Sequence, residues 1–264
     1  MLYNYKICNI IKRGVEMKLE ILGCYAPSFN KNKSVSCYKL KCEDKIIYLD
    51  MGYFLYKKIK KADLKNMEIF VSHNHIDHSY GVFQLMYRLD KKKVKLENKI
   101  KVYMPEKSKF KNLFKALKVK NNADVHAIEE SNKVNVKNLE ISFCKTIHKG
   151  ETYAIKILNK ENNKVFVYTA DLALVNQKLI DFCKDADVVM IEAGHTVNFQ
   201  PFTLGRYHGY TKDLTREILK ANPKKVYITH YKTYATEEKI KHFLPKGKED
   251  KFQVVKIGDK IDIL

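Results

Sequence analysis

Three histidines and one aspartate lie within six consecutive residues of this 264-residue chain. His73, His75, Asp77 and His78 directly follow the apolar run Glu68–Ser72, which predicts a strand that ends at these side chains. Imidazole nitrogens and carboxylate oxygens are common ligands of divalent transition metals, and metal binding readily explains such a density of them. The segment therefore predicts a metal-binding loop.

The spacing divides the four side chains into two pairs. Residues two apart at the end of a strand project to the same side, so His73 and His75 are predicted to bind one ion. Asp77 and His78 begin the turn into a helix, predicted over Tyr80–Leu89, and are predicted to bind another ion. One short loop can thus serve two metal ions.

The segment matches letter for letter the His-x-His-x-Asp-His motif of the metallo-β-lactamase superfamily, which the chain resembles from Met17 onward. The resemblance implies an α/β fold, a four-layer αββα sandwich. It also implies three further ligands: His148 for the first ion, Asp171 bridging both ions, and His230 for the second. Asp50 resembles the family residue that orients a metal-bound histidine.

A smaller set of residues resembles the ribonuclease Z group of phosphodiesterases. By that analogy Glu192 and His208 form a proton-donating pair, and Asp77 is the third residue assigned to catalysis. The alternative is that His208 only caps or decorates the loop before the helix predicted over Lys212–Ala221. His195 has no counterpart in the motif and is a candidate pocket residue.

One departure from the ribonuclease Z pattern concerns RNA binding. Bacterial enzymes of that group that process transfer RNA carry a long arm between the third and fourth ligand motifs. Here only 22 residues separate His148 from Asp171, and the strands predicted over Thr152–Ile157 and Lys164–Tyr168 use most of them. The resemblance therefore implies the catalytic core without the arm.

These observations favour a dinuclear metal-dependent hydrolase, phosphodiesterase-like, that uses a metal-bridging hydroxide as nucleophile. Its predicted substrate is a small-molecule or nucleotide phosphodiester. The alternative is a thioesterase or lactonase of the same fold, which needs no His208 pair. A non-enzymatic scaffold would have lost ligands, whereas all seven are present. The ligand set suits two zinc ions first, with manganese or iron as alternatives. Members of the group often form homodimers, although no interface is readable here.

The net charge of +20 is unevenly distributed. The segment Arg88–Lys120 contains thirteen basic and three acidic residues, which is half of the net charge. Such a patch is able to contact RNA. The alternative is a solvated lysine-rich face that reflects an AT-rich coding sequence.

The remaining sequence predicts one cytoplasmic domain without a membrane span. Residues 1–16 are interpreted as an N-terminal extension upstream of a natural start at Met17, and residues 17–264 as a single hydrolase domain. Six scattered cysteines without a Cys-x-x-Cys pair are predicted to be reduced, buried and unconnected with metal. His126 and His242 are predicted to lie on the surface.

Strands and helices alternate along most of this domain, and the lysine-rich segment Lys91–Lys137 is the least recognisable part. Further strands are predicted over Lys18–Gly23, Ser36–Lys41, Lys45–Asp50, Leu139–Phe143, Val188–Glu192 and Lys225–Thr229, and further helices over Leu174–Lys184 and Thr236–Phe243.

Overall fold

The computed structural model of the chain describes residues 16–27, 30, 32–116, 118–120, 122–196 and 207–263. The predicted N-terminal extension lies outside these residues, apart from Glu16. The strands within them are β1 (Met17–Gly23), β2 (Cys37–Cys42), β3 (Lys45–Leu49), β4 (Met67–Phe70), β5 (Ile100–Met104), β6 (Ala123–Ala127), β7 (Lys133–Val136), β8 (Leu139–Lys145), β9 (Tyr153–Asn159), β10 (Lys164–Tyr168), β11 (Val188–Glu192), β12 (Lys225–Thr229), β13 (Phe252–Val254) and β14 (Lys260–Ile263). The helices are α1 (Ile76–Lys91), α2 (Lys107–Ala116), α3 (Gln177–Phe182), α4 (Thr211–Ile218) and α5 (Glu237–His242).

The first sheet has the strand order β14-β1-β2-β3-β4-β5-β6. Its β1, β2 and β3 pair antiparallel, and β3 to β6 pair parallel. In β1 the buried Leu19 and Ile21 flank the less buried Glu20, which is the alternation expected of a strand with one face in a core.

The second sheet has the strand order β13-β12-β11-β10-β9-β8-β7. Its centre, β10 to β12, is parallel. Strand β11 has the sequence Val-Val-Met-Ile-Glu and is buried along its whole length. Such continuous apolar runs are typical of parallel strands that are covered on both faces.

The main core lies between the two sheets. Leu19 and Leu40 of the first sheet belong to the same buried cluster as Ile155 and Phe166 of the second. Helices cover the outer faces: Val82 and Met86 of α1 pack in a cluster with Ile69 and Val102 of the first sheet, and Leu214, Ile218 and Ile240 of α4 and α5 pack with the second. These four layers confirm the predicted αββα sandwich.

The predicted boundaries are most accurate in the second sheet, where the ranges for β10, β11 and β12 agree with the structure. The prediction for α3 is too long at its start, because the Asn176 side chain accepts a hydrogen bond from the Leu179 N–H and caps the helix there. The lysine-rich segment contains β5, α2, β6 and β7, for which no bounds were predicted.

Helix α1 is held unusually close to the loop that follows β3. The Met51 N–H donates to the His78 carbonyl at 2.7 Å, and the Gly81 N–H donates to the Met51 carbonyl at 2.8 Å. A Cβ atom on Gly81 would lie 2.2 Å from the Gly52 carbonyl oxygen, so a glycine is required for this approach. The contact fixes the first turn of α1, which carries Asp77.

Among the described residues, no helix has the length and apolar character needed to cross a membrane.

Candidate metal centre and active site

Four predicted ligands form a first cluster: His73, His75, His148 and Asp171. The His75 Nδ1 atom lies 3.0 Å from His73 Nε2 and 3.3 Å from His148 Nε2. Asp171 Oδ2 is 3.7 Å from His73 Nε2 and 3.8 Å from His148 Nε2. Half-buried His75 and His148 mark the open side of the cluster, whereas His73 and Asp171 are buried.

Asp77, His78 and His230 form a second, fully buried cluster. The His230 Nε2 atom is 3.2 Å from both His78 Nε2 and Asp77 Oδ2. Asp171 also reaches this cluster, because its Oδ1 atom lies 3.4 Å from His78 Nε2 and 3.5 Å from His230 Nδ1. Each oxygen of Asp171 thus faces a different group of histidines.

The two clusters are built at the carboxyl ends of strands from both sheets. His73 and His75 follow β4, and Asp77 and His78 lie in the first turn of α1. His148, Asp171 and His230 follow β8, β10 and β12, which are strands of the second sheet. The structure therefore brings all seven predicted ligands together, although they span 158 positions of the chain.

Left-handed backbone conformations occur just after the ends of β3, β10 and β12. The φ angles are 57° at Asp50, 56° at Ala170 and 48° at His230. Non-glycine residues adopt this conformation at a cost, and such residues concentrate at functional sites. The sharp turn at each strand end presents Asp50, Asp171 and His230 to the site.

Hydrogen bonds to the far nitrogen of the imidazole rings orient the histidines. Asp50 Oδ2 accepts from His78 Nδ1 at 2.7 Å, as the resemblance implied. The Tyr207 carbonyl accepts from His148 Nδ1. Because a carboxylate and a carbonyl can only accept, both rings are protonated on Nδ1 and turn Nε2 towards the other predicted ligands.

The residues that hold Asp50 were missed by sequence reasoning. Its carboxylate accepts from the Ser72 N–H at 2.7 Å, the Ser72 hydroxyl at 2.9 Å and the Tyr168 hydroxyl at 2.7 Å. Ser72 also lies 3.0 Å from His73 Nδ1 through its hydroxyl. Ser72 directly precedes His73, which is a weak sequence signal, and nothing local marks Tyr168.

Two buried atoms show that the donor set fits divalent cations. Asp171 Oδ1 and His230 Nδ1 are fully buried, and neither has a hydrogen-bond partner among the described residues. Buried polar atoms without a partner are costly, and a shared cation would satisfy both. In the first cluster, the Nε2 atoms of His73 and His148 both lie within 3.3 Å of His75 Nδ1, a convergence of imidazole nitrogens that suits a shared cation.

The two clusters differ in their electrostatics. Burial lowers the pKa of His73 well below its usual range, and burial likewise lowers the pKa values of His75 and His148. These rings are therefore neutral and able to donate lone pairs. In the second cluster burial opposes the shift, but the Asp171 and Asp77 carboxylates raise the pKa of His230 to about 10.

The carboxylates of the second cluster show the complementary effect. Burial would raise the pKa of Asp171, yet His230 and His78 hold it well below the usual range. The same histidines lower the pKa of Asp77 against the effect of its burial. The two buried carboxylates, Asp171 and Asp77, thus make the second cluster the part of the site where a bound cation is stabilised most.

Glu192 and His208 lie beside the ligands and contact each other. His208 Nδ1 donates to Glu192 Oε2 at 2.8 Å, and the Leu172 N–H donates to the other oxygen of Glu192 at 2.6 Å. The pKa of His208 is raised because Glu192 outweighs the effect of burial. Tyr210 occupies the N-cap position of α4, which has no side-chain cap, so His208 does not cap this helix.

His126, His195 and His242 belong to neither cluster. The ring centroid of His195 lies 6.0 Å from that of His208, next to the site. His126 is partly exposed, stacks on Tyr103 and contacts Asp124 at 2.9 Å, and His242 is exposed on α5. The surface predictions for the last two are confirmed.

The five described cysteines are free and buried, as predicted, while Cys8 lies outside the described residues.

Residues 17–255 match the protein family described as "Anti-Pycsar protein Apyc1". The chain belongs to this family. Among relatives of this Apyc1 family member, "Probable metallo-hydrolase YhfI" of Bacillus subtilis is 25% identical over 235 residues, which cover 85% of the chain and 91% of that protein. "Probable RNase MJ4" of Methanocaldococcus jannaschii is 29% identical over 196 residues, covering 63% of the chain and 44% of that protein.

Solved structures give the fold of this Apyc1 family member. The crystal structure of the metallo-β-lactamase fold protein YhfI superposes with a TM-score of 0.78 at 19% identity, covering 94% of the chain and 99% of that structure. The short form of human tRNase Z gives a TM-score of 0.73 at 14% identity, covering 94% and 99%. With its clusters of histidine and carboxylate donors, the chain is a metal-dependent hydrolase of the metallo-β-lactamase fold.

Proposed function

We propose that the chain is a dinuclear phosphodiesterase that hydrolyses nucleotide or other small phosphodiesters. His73, His75 and His148 would hold one divalent ion, Asp77, His78 and His230 the other, and Asp171 both. The opposed oxygens of Asp171 support this division, because each lies within 3.8 Å of one group of imidazoles. Zinc is the first choice for such a ligand set, with manganese or iron as alternatives.

Two bound ions would supply charge stabilisation and the lowered water pKa from which a hydroxide nucleophile arises. The protein contributes orientation and a proton. Asp50 and the Tyr207 carbonyl fix the rings of His78 and His148. Asp171 and Asp77 set the local charge, since both are buried carboxylates with depressed pKa values.

The observation that carries the phosphodiesterase assignment is the Glu192–His208 contact. The Glu192 carboxylate holds the proton of His208 on Nδ1, so Nε2 is the nitrogen that exchanges a proton with a substrate. As the P–O bond to the leaving group breaks, a proton held on Nε2 passes to the departing alkoxide. The names "Probable RNase MJ4" and "tRNase Z" of similar proteins support a phosphodiester of nucleotide type.

The first test combines elemental analysis of freshly purified protein with hydrolysis of bis(p-nitrophenyl) phosphate. We expect about two metal ions per chain, and loss of both one ion and turnover in Asp77→Ala. Asp124→Ala, which removes an exposed carboxylate, is the matched control and keeps both. A chain that binds no metal would overturn the proposal, and two ions without turnover would favour the thioesterase or lactonase alternative.

The second test separates His208 from the metal ligands by the choice of leaving group. p-Nitrophenolate is a stable anion and needs no proton, whereas the alkoxide released from a dinucleotide or a cyclic nucleotide does. His208→Ala should therefore slow the nucleotide substrates by about 10²–10⁴-fold and change the p-nitrophenyl ester little. Equal losses on both substrates would contradict proton donation, and His126→Ala provides a surface control.

A further inference from the structure

Helix α1 carries a row of aromatic rings on its outer side. Tyr80, Phe83 and Tyr87 are spaced three and four residues apart, so they share one face of the helix. The ring centroids of Tyr80 and Phe83 are 5.6 Å apart, and those of Phe83 and Tyr87 are 6.4 Å apart, with interplanar angles of 26° and 28°. Phe83 is buried, but Tyr80 is 39% and Tyr87 45% exposed. Two tyrosine rings thus offer stacking surfaces to solvent.

Cations accompany these rings. The row forms one wall of a groove of about 840 Å³ that is also lined by Arg88, Lys91 and Lys92, and no lining residue is acidic. The Arg88 guanidinium lies 5.6 Å from the ring centroid of Tyr56, and the Lys91 ammonium lies 5.4 Å from that of Tyr87. Aromatic and cationic groups are therefore interleaved along one surface, which we call the aromatic–basic face (Tyr80, Tyr87, Arg88, Lys91 and Lys92).

Lysines also line a second groove, of about 420 Å³, at the C-terminal end of α1. These are Lys93, Lys95, Lys99 and Lys120, with Asp90 as the one carboxylate. At 1.5 Å per residue, the eleven steps from Tyr80 to Lys91 span about 17 Å. An extended ligand that follows the helix can therefore contact the rings and the cations together.

We propose that the aromatic–basic face binds single-stranded nucleic acid, with bases stacked on Tyr80 and Tyr87 and phosphates at Arg88, Lys91 and Lys92. Stacking surfaces beside a cationic track are the combination by which single strands are bound without sequence preference. A duplex hides its base faces, so it can use the cations only. A second copy of this chain packed on the face about a twofold axis would place like charges opposite one another, which disfavours association. The face lies outside the proposed catalytic residues, so binding does not depend on the proposed reaction.

The test measures binding of a fluorescein-labelled twelve-nucleotide oligo(dT) to the full-length protein by fluorescence anisotropy at several salt concentrations. Tyr80→Ala/Tyr87→Ala should weaken binding by about tenfold or more at fixed salt, because each lost base stack is worth at least severalfold in affinity. The double phenylalanine variant keeps the rings and should bind like the wild type. Both variants change exposed side chains, and circular dichroism verifies that they fold.

Removal of the cations should change the salt dependence of binding. Arg88→Gln/Lys91→Gln/Lys92→Gln should reduce the slope of log K against log salt by about 2, since each single-strand phosphate contact contributes about 0.7. The matched control removes three exposed lysines elsewhere, Lys246, Lys248 and Lys260, and should leave most of the slope intact. A blunt duplex of equal charge should compete at least tenfold less well than the single strand.

Three results would overturn the proposal. Oligo(dT) binding that survives the double alanine variant would show that the rings do not stack with bases. Light scattering that shows a wild-type dimer and a monomeric double alanine variant would assign the face to a second copy. Tyrosine-dependent binding to phosphatidylserine vesicles, without oligo(dT) binding, would assign it to a lipid surface. Turnover of bis(p-nitrophenyl) phosphate by each variant separates these outcomes from failure of the proposed hydrolase activity.

Discussion

Asp50→Asn tests the orientation of the proposed metal ligands, because it changes one buried carboxylate that touches a single one of these histidines, His78. Asparagine is isosteric with aspartate and tolerates the left-handed backbone at this position, where φ is 57°. The amide oxygen can still accept from the Ser72 N–H. The amide nitrogen, however, then faces His78 Nδ1, which now lies 2.7 Å from a donor instead of an acceptor.

His78 can avoid this donor–donor contact only by moving its proton from Nδ1 to Nε2. The Nε2 atom is the one that lies 3.2 Å from His230 Nε2 and faces the other ligands, so the new proton blocks it as a ligand. Loss of a partner of this kind typically lowers metal affinity by about 10–100-fold, or about 1.4–2.7 kcal/mol. Loss of a buried, charge-assisted hydrogen bond also lowers the free energy of unfolding by about 1.5–3 kcal/mol.

Zinc affinity is measured by competition with a chromogenic chelator, and stability by urea unfolding with EDTA present. Asp63→Asn is the matched control. Asp63 is also a buried carboxylate; it accepts from Lys39 at 2.8 Å and from Tyr48 at 2.6 Å, neither of which is a proposed metal ligand. The control should lose stability and keep its zinc affinity. An Asp50→Asn protein with wild-type zinc affinity would refute the tautomer argument.

Two further predictions concern packing and pH. Gly81→Ala should lower the free energy of unfolding by about 1–3 kcal/mol and weaken metal binding, because its Cβ would lie 2.2 Å from the Gly52 carbonyl oxygen and push the first turn of α1 outward. The control, Tyr87→Ala at an exposed position on the same helix, should change the free energy of unfolding by less than about 0.5 kcal/mol. Equal urea midpoints for the two variants would contradict the close packing at Gly81. Burial opposes the shift, yet hydrogen bonds from Lys39 and Tyr48 lower the pKa of Asp63 in the folded protein, so its contribution to stability is present above the unfolded pKa of about 4 and is lost as the pH falls through the folded pKa. Asp63→Asn should therefore cost more stability at pH 7 than at pH 3, and a cost independent of pH would show that the ion pair contributes nothing.

The accuracy of the sequence predictions followed the strength of the local signal. Strands β10 to β12 are apolar runs bounded by polar residues, and their bounds were predicted correctly. Helix α1 begins at Ile76 rather than at Tyr80, because the polar residues of its first turn serve the site and do not follow a helical apolar pattern. In β5 and α2, lysines interrupt the apolar periodicity, although Val102 and Phe110 are buried as the fold requires.

Prediction of the candidate site was likewise limited to residues with a local sequence signal. His73 and its neighbours were recognisable because they are adjacent in sequence. His148, Asp171 and His230 follow three different strands, and only the resemblance to a family connected them. The Ser72 and Tyr168 contacts to Asp50 depend on how the two sheets face each other, which no local pattern records.

The proposed metal clusters draw their ligands from both sheets, so bound metal would help to hold the two sheets together. His78 and His230 are 152 residues apart in sequence, so an ion shared by them closes a long loop as a cross-link does. The cross-link can form only after both sheets have met, since neither supplies enough ligands alone. Metal should therefore stabilise the sandwich only after the folding transition state. Its removal would speed unfolding and leave the rate of refolding nearly unchanged.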